Sequence, residues 1–272
     1  MLRGWLTDPM PEGDTIHKIA AFMAPLLEQR VANRVHAKRV PDASRCSGQQ
    51  VTSVLAKGKH LLVEFDSGTV VRSHLGMHGS WHRYANAEEW RKPRWQASLE
   101  VTTDSDVFVC FNAKEVEVLE TQGLRKRIID SRLGPDLATP GVDVATAVKR
   151  AREFIDGDAL IGDVLLDQRA ACGIGNVYKS EILFINRRLP QTPLDRVGDE
   201  ELNTHYRLAA DLLSRNLGGG KRVTRFERDR AGRLWVYRRR GLPCLRCDES
   251  VIASARIGRH HRGTYWCPAC QK

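Results

Sequence analysis

Two groups of residues in this chain have types and spacings suited to chemistry. The first is Pro11-Glu12-Gly13-Asp14, which follows an internal Met10. A proline inside a chain has only an amide nitrogen. If translation starts at Met10 and that methionine is removed, Pro11 presents a free secondary amine, less basic than a lysine side chain and nucleophilic at neutral pH. Such an amine can attack a sugar C1′ and form an iminium, and Glu12 beside it can move protons. The second group is Cys244-x-x-Cys247 and Cys267-x-x-Cys270, separated by nineteen residues. Four thiolates in two such knuckles can close a tetrahedral shell around one Zn²⁺, leaving no open position for water, so the metal is expected to be structural. His260 and His261, the rival ligands between the knuckles, are expected to face solvent or DNA. Arg256, Arg259, Arg262 and Lys272 give the tip of this ribbon a composition suited to phosphate.

The elements that must position these groups fall into two halves, an α+β organisation. Ile16, Ile19, Ala20, Phe22, Met23, Leu26 and Leu27 recur at helical spacing after Asp14, the expected N-cap, and Pro25 should kink or end that helix early. Residues 51–55, 59–65, 69–75, 95–101, 107–111 and 115–119 are β-rich and separated by Gly, Asp and Ser punctuation, which predicts an N-terminal antiparallel β-sandwich behind the helix. Gly134-Pro135-Asp136 and Thr139-Pro140-Gly141 mark a linker. Helical patterns then cover 143–155, 160–168, 176–184 and 199–216, ended by Gly218-Gly219-Gly220. The basic stretch 222–240 reads as a loop plus a strand. The boundaries are therefore 1–9 as an extension, 10–130 for the sandwich, 131–140 for the linker, 141–240 for the helical domain and 241–272 for the ribbon.

The net charge is +10, which suits a polyanionic partner. Seven cysteines, an odd number with four in paired spacing, argue against a secreted disulfide framework and for a reducing compartment. No apolar run approaches a membrane span and no signal peptide pattern is visible, so a cytoplasmic, nucleoid-associated protein is expected. Gly173-Ile174-Gly175-Asn176 opens a helical segment; a glycine turn of this kind can simply stop a helix, but between two helices of a basic protein its free amides resemble a DNA-backbone site.

Jointly, Pro11-Glu12-Gly13, Lys57-Gly58-Lys59-His60-Leu61-Leu62, His74-Leu75-Gly76-Met77-His78-Gly79, Gly173 to Glu181 and the two cysteine pairs resemble the formamidopyrimidine-DNA glycosylase/endonuclease VIII family, in the same order over residues 10–272. The resemblance implies Pro11 as nucleophile and Glu12 as general acid/base. It implies Lys59 as a catalytic lysine near the lesion phosphates and Arg262 as the zinc-finger arginine. Asn176 matches the backbone-binding asparagine of a helix–two-turn–helix motif, and Met77 an apolar wedge in the gap left by the extruded nucleotide. Glu181 matches a site glutamate. With Arg256 and Arg259 these last residues make up the expected DNA surface.

Members that act on oxidised purines carry an Arg and a Phe in a loop of the sandwich. This chain has Phe111-Asn112-Ala113-Lys114-Glu115 there, which favours the endonuclease VIII branch and oxidised pyrimidines, while the wedge motif resembles the purine branch. What is implied is a monomeric, bifunctional glycosylase and abasic-site lyase that grips damaged double-stranded DNA in a cleft between its halves, with one structural zinc and no organic cofactor. Residues 1–9 are expected to be an over-long translation, because with them present Pro11 has no amine. The same chemistry aimed at 8-oxoguanine and formamidopyrimidines, a silent damage-binding protein and a ribbon module that binds proteins are the alternatives.

Overall fold

The computed structural model of the protein describes residues 10–227, 229 and 231–272; the expected extension, residues 1–9, lies outside them. Helix α1 (Gly13–Leu27) buries Ile16, Ile19, Ala20, Met23 and Leu27, one apolar stripe at a spacing of three and four residues. Its N-cap is Glu12 rather than Asp14, which sits inside the first turn, where a carboxylate meets the positive end of the helix dipole. Pro25 falls in the last turn and the helix stops at Leu27.

Nine strands follow among the described residues: β1 (Val31–Ala32), β2 (Arg34–Ala37), β3 (Gln49–Lys57), β4 (His60–Phe65), β5 (Thr69–His74), β6 (Ser80–Ala85), β7 (Ala97–Thr102), β8 (Asp106–Phe111) and β9 (Glu115–Glu120). They form two antiparallel sheets, ordered β1-β3-β4-β5-β9 and β2-β7-β8-β6. Alternation along β4 fixes what each face does. Leu61, Val63 and Phe65 join the core with the α1 stripe, Trp81, Leu99, Val101 and Phe108. Leu62 points the other way, to Val70 and Leu119, and Ile129 of α2 (Leu124–Arg132) packs on that pair. Strands β1, β2 and β6 and helix α2 were not among the expected elements: β1 and β2 are short, β6 alternates with polar residues, and α2 buries none of its own.

The chain divides between Ser131 and Arg132 into two units. The second contains α3 (Val144–Phe154), α4 (Ile161–Val164), α5 (Asn176–Ile185), α6 (Asp199–Arg215) and a hairpin of β10 (Ala253–Ile257) and β11 (Arg262–Trp266). The helices enclose a core that includes Val148, Ile161, Tyr178, Ile182, Tyr206 and Leu213.

The strand expected within 222–240 does not form among that stretch's described residues. Its backbone donors go elsewhere. The N–H groups of Trp235, Val236 and Tyr237 donate to the Glu181 carboxylate at 2.7, 2.9 and 2.8 Å, and the Thr224 hydroxyl donates to it as well. A side chain thus takes the place of a partner strand. Replacing Glu181 by Ala would leave these donors buried without acceptors. We expect Glu181→Ala to lose about 3–5 kcal/mol of stability and Glu181→Gln less, measured as the shift in urea midpoint; equal, small losses would contradict this account.

Candidate catalytic and nucleic-acid site

In the first unit, Pro11 is partly exposed at the start of α1, and Glu12 next to it is 1% exposed. Asp14 and Lys18, one turn apart on the same helix, are also buried and pair at 3.5 Å. Met10 has φ 129°, a conformation that costs a side-chain-bearing residue on the order of 1–3 kcal/mol.

Lys59 occupies the two-residue turn between β3 and β4, made tight by Gly58 at φ 56°. Met77 is 46% exposed on the turn between β5 and β6. Gly76 in that turn has φ 65°, and a Cβ there would lie 2.9 Å from the Cβ of Lys114. A side chain at Gly79 would meet the Leu75 carbonyl oxygen at 2.5 Å. Gly76 thus lets the Met77 turn lie against the β8–β9 connection, and Gly79 lets the turn close on itself.

What registers these turns is Arg72, 5% exposed on β5. Its guanidinium donates to His60 Nδ1 at 2.7 Å, to Glu117 at 3.0 Å and to Glu115 at 3.0 Å. His60 directly follows Lys59 and lies opposite His74, with ring centroids 4.9 Å apart. His74 Nδ1 in turn accepts the Gly76 N–H at 3.1 Å, and the His74 carbonyl accepts the Lys114 N–H at 2.9 Å. The lysine turn, the methionine turn and the β8–β9 connection are therefore tied to one ionic node. Burial, with the nearby Arg72 charge, pushes His60 down to about 3. Burial likewise pushes His74 down to about 4, against the pull of Glu115. Both imidazoles are neutral, as acceptors must be. Sequence reading missed Arg72; its only signal is one cation in the apolar run Val70-Val71-Arg72.

In the second unit, Gly175 is the N-cap of α5 and Asn176 its first residue. The Asn176 amide donates to the Gly263 carbonyl at 2.6 Å, and Lys179, one turn on, donates to the Thr264 hydroxyl at 2.6 Å. The α5 N-terminus is thereby fastened to the β10–β11 hairpin beside Arg262, which is exposed at the start of β11. Arg256 is exposed on β10. Arg259 is exposed at the hairpin tip and paired with Asp156 at 3.4 Å. His260 and His261 are exposed in the same turn. Glu181 lies inside the unit, 0% exposed, with both oxygens engaged. Burial pushes its carboxyl up while the four donors pull it down. Its expected place on the DNA surface gives way to a positioning one.

The Sγ atoms of Cys244, Cys247, Cys267 and Cys270 all lie within 4.8 Å of one another. The pairs Cys244–Cys270 and Cys247–Cys267 are 3.8 Å apart. A regular tetrahedron with metal–sulfur bonds of about 2.3 Å has edges of about 3.8 Å, and a disulfide would bring two sulfurs to about 2.05 Å. The four cysteines therefore fit one tetrahedral metal ion.

The neutral histidines set a pH dependence. Their folded-state values lie below the ordinary imidazole value of about 6.5, so between there and about 4 the unfolded chain binds more protons. The contribution of these two rings is expected to be level above pH about 7 and to fall by up to about 5 kcal/mol as pH drops from about 6.5 to 4, and His82 and His205, which burial also pushes down to about 4, add to the same slope. Urea midpoints read this; His74→Asn, whose amide oxygen can accept the Gly76 N–H, should flatten the profile, and an unchanged slope would contradict the assignment.

Comparison with known proteins follows the two units. Residues 10–128 match the formamidopyrimidine-DNA glycosylase N-terminal domain and residues 133–228 the formamidopyrimidine-DNA glycosylase H2TH domain. A probable endonuclease 8 2 of Streptomyces coelicolor is 36% identical over 96% of this chain and 94% of its own. A DNA-(apurinic or apyrimidinic site) lyase, Nei2, of Mycolicibacterium smegmatis is 35% identical over 96% and 99%. Among solved structures, Lactococcus lactis Fpg with oxidised-pyrimidine DNA superposes at TM-score 0.80 with 19% identity, covering 96% of this chain and all of that one. MutM bound to DNA with a carbocyclic 8-oxo-G superposes equally well, again at 19% identity; at that identity the likeness is one of fold. With both family domains matched in order, and relatives along nearly the whole chain named as endonucleases 8, the chain belongs to the formamidopyrimidine-DNA glycosylase/endonuclease VIII family of DNA-repair enzymes, near its endonuclease VIII branch.

Proposed function

We propose that the protein is a bifunctional DNA glycosylase and abasic-site lyase that removes oxidised pyrimidines from double-stranded DNA, with the nitrogen of Pro11 as nucleophile. The observation behind it is the pairing of a partly exposed Pro11 with a buried Glu12 at the head of α1, just inside a family match that begins at residue 10. The preference for pyrimidines rests on Asn112-Ala113-Lys114, which lacks the Arg and Phe of the purine-directed members.

In the reaction, the damaged nucleotide leaves the stack and Met77 fills the gap. Glu12 protonates the sugar ring oxygen. The Pro11 nitrogen bonds to C1′ as the bond from C1′ to the base breaks, and the base departs with its electron pair and a proton. The nitrogen gives its proton to the departing base, the bond from C1′ to the ring oxygen breaks with that oxygen keeping the proton from Glu12 as a hydroxyl, and the nitrogen lone pair closes an iminium, which acidifies the C2′ proton. Removing that proton expels the 3′ phosphate, and a second elimination expels the 5′ phosphate, so the strand is cut on both sides. Lys59, Asn176, Arg256, Arg259 and Arg262 hold backbone phosphates, and Glu181 keeps the 235–237 backbone in place. The protein works as a monomer.

Strand cleavage of a duplex with one oxidised pyrimidine, compared with one containing 8-oxoguanine, tests this. Protein beginning at Pro11 should cut the first faster, and protein retaining residues 1–10 should cut neither. Glu12→Gln should slow base release about 100-fold or more. Equal activity of the extended form would overturn Pro11 as nucleophile, and faster cutting at 8-oxoguanine would overturn the lesion preference.

Zn²⁺ is proposed as the ion of the four cysteines, holding the β10–β11 hairpin and with it Arg262. Thiolate-modifying reagent should release about one zinc per chain, and metal removal should lower the thermal midpoint and weaken DNA affinity together. Intact DNA binding after complete metal loss would show the ion is not structural.

A further inference from the structure

On the first unit a groove of about 530 Å³ opens between the β2 end and the β8–β9 connection. Its volume falls in the range of small-ligand pockets, about 300–1,000 Å³. Trp95 forms one wall and is 69% exposed, the most exposed large apolar side chain given among the described residues. Its backbone is held firmly. The Trp95 carbonyl accepts the Lys38 ammonium at 3.1 Å, the neighbouring Gln96 carbonyl accepts the Asn112 N–H at 2.9 Å, and the Asn112 side chain donates to Gln96 Oε1 at 3.2 Å. An indole kept in water on a pinned backbone is not a core residue left over. It is a preformed stacking surface.

The charges of the groove select the partner. Lys38 and Arg39 line it and are exposed, and neither is ion-paired among the described residues. Glu115 and Glu117 also line it, but their carboxylates are engaged by Arg72, with Lys114 and Arg125 as further partners. What remains is an aromatic face beside two cations. Base–aromatic stacking with phosphate neutralisation is how proteins hold unpaired nucleotides. A paired base has its faces covered by its neighbours, so only an unpaired one fits. Lys114 lines the groove and abuts Gly76, the residue before Met77, so the groove lies within a side chain's reach of the wedge turn.

We propose that this groove binds an unpaired nucleotide of the DNA, its base stacked on Trp95 and its phosphate held by Lys38 and Arg39. The enzyme is thereby biased toward lesions in locally open DNA, such as bubbles. This rests on the proposed action on DNA, and the test separates the two. Affinity would be measured for one lesion-bearing strand in a fully paired duplex and in a five-nucleotide bubble, with strand cleavage at saturating enzyme as the control. Wild type should bind the bubble more tightly. Trp95→Ala should lose about ten-fold, ~1.4 kcal/mol, on the bubble and little on the duplex. Trp95→Phe should retain most of the affinity, and Lys38→Ala with Arg39→Ala should match the Ala variant. Cleavage at saturation should be unchanged in all three, and unaltered circular dichroism confirms that the exposed substitutions leave the fold intact. The groove is overturned if wild type shows no bubble preference, or if Trp95→Ala keeps it. Absence of cleavage by wild type on every substrate would instead overturn the proposed function.

Discussion

The second unit depends on the convergence of backbone donors on one buried carboxylate. Glu181 takes the N–H groups of three consecutive residues, 235–237, and the hydroxyl of Thr224. A carboxylate at zero exposure is tolerable only when its oxygens are fully engaged, and here the cost of burial is offset by donors that would otherwise need a strand. The same helix fixes the ribbon through Asn176 and Lys179, on successive turns of one face. Helix α5 therefore sets both the 224–237 segment and the hairpin that presents Arg262. The cysteine cluster closes the far end of that hairpin, where Cys267 stands five positions after Arg262.

The first unit solves a similar problem with a charged network instead of a cysteine cluster. Lys59 and Met77 sit on tight turns, and turns by themselves do not hold side chains to fractions of an ångström. Arg72 and the neutral pair His60 and His74 supply the rigidity, because each turn contributes a group to one partly buried network. A charged His74 could not accept the Gly76 N–H, so the low proton affinity of these rings is part of how the turn is held.

Much of this was legible in the sequence. The paired cysteines, Pro11-Glu12 after Met10, the glycine turn before α5 and the alternating β3 to β5 all follow from spacing and residue type. Other features were hidden by tertiary choices. Leu234 to Tyr237 form a short apolar run rich in the aromatic and branched residues of a strand, yet a glutamate 54 residues before Trp235 takes the donors of its last three residues. Glu181 itself looked like a ligand-facing acid, since nothing local says that an acidic residue in an apolar helix will be saturated from a distant loop. Strand β6 was missed because Ser80, His82 and Arg83 interrupt its apolar pattern. Helix α2 was missed because only Ile129 faces a core.

The chemistry comes down to a nitrogen. Every residue proposed to grip or deform DNA can act whether or not Pro11 is terminal, but only a terminal Pro11 can form an iminium. Borohydride reduction during reaction with a duplex bearing an oxidised pyrimidine, followed by mass mapping of the cross-linked peptide, reads that bond directly. The account predicts a reduced adduct on the Pro11 nitrogen of a chain lacking residues 1–10. An adduct on a lysine such as Lys59, or strand cleavage with no trapped adduct, would contradict it.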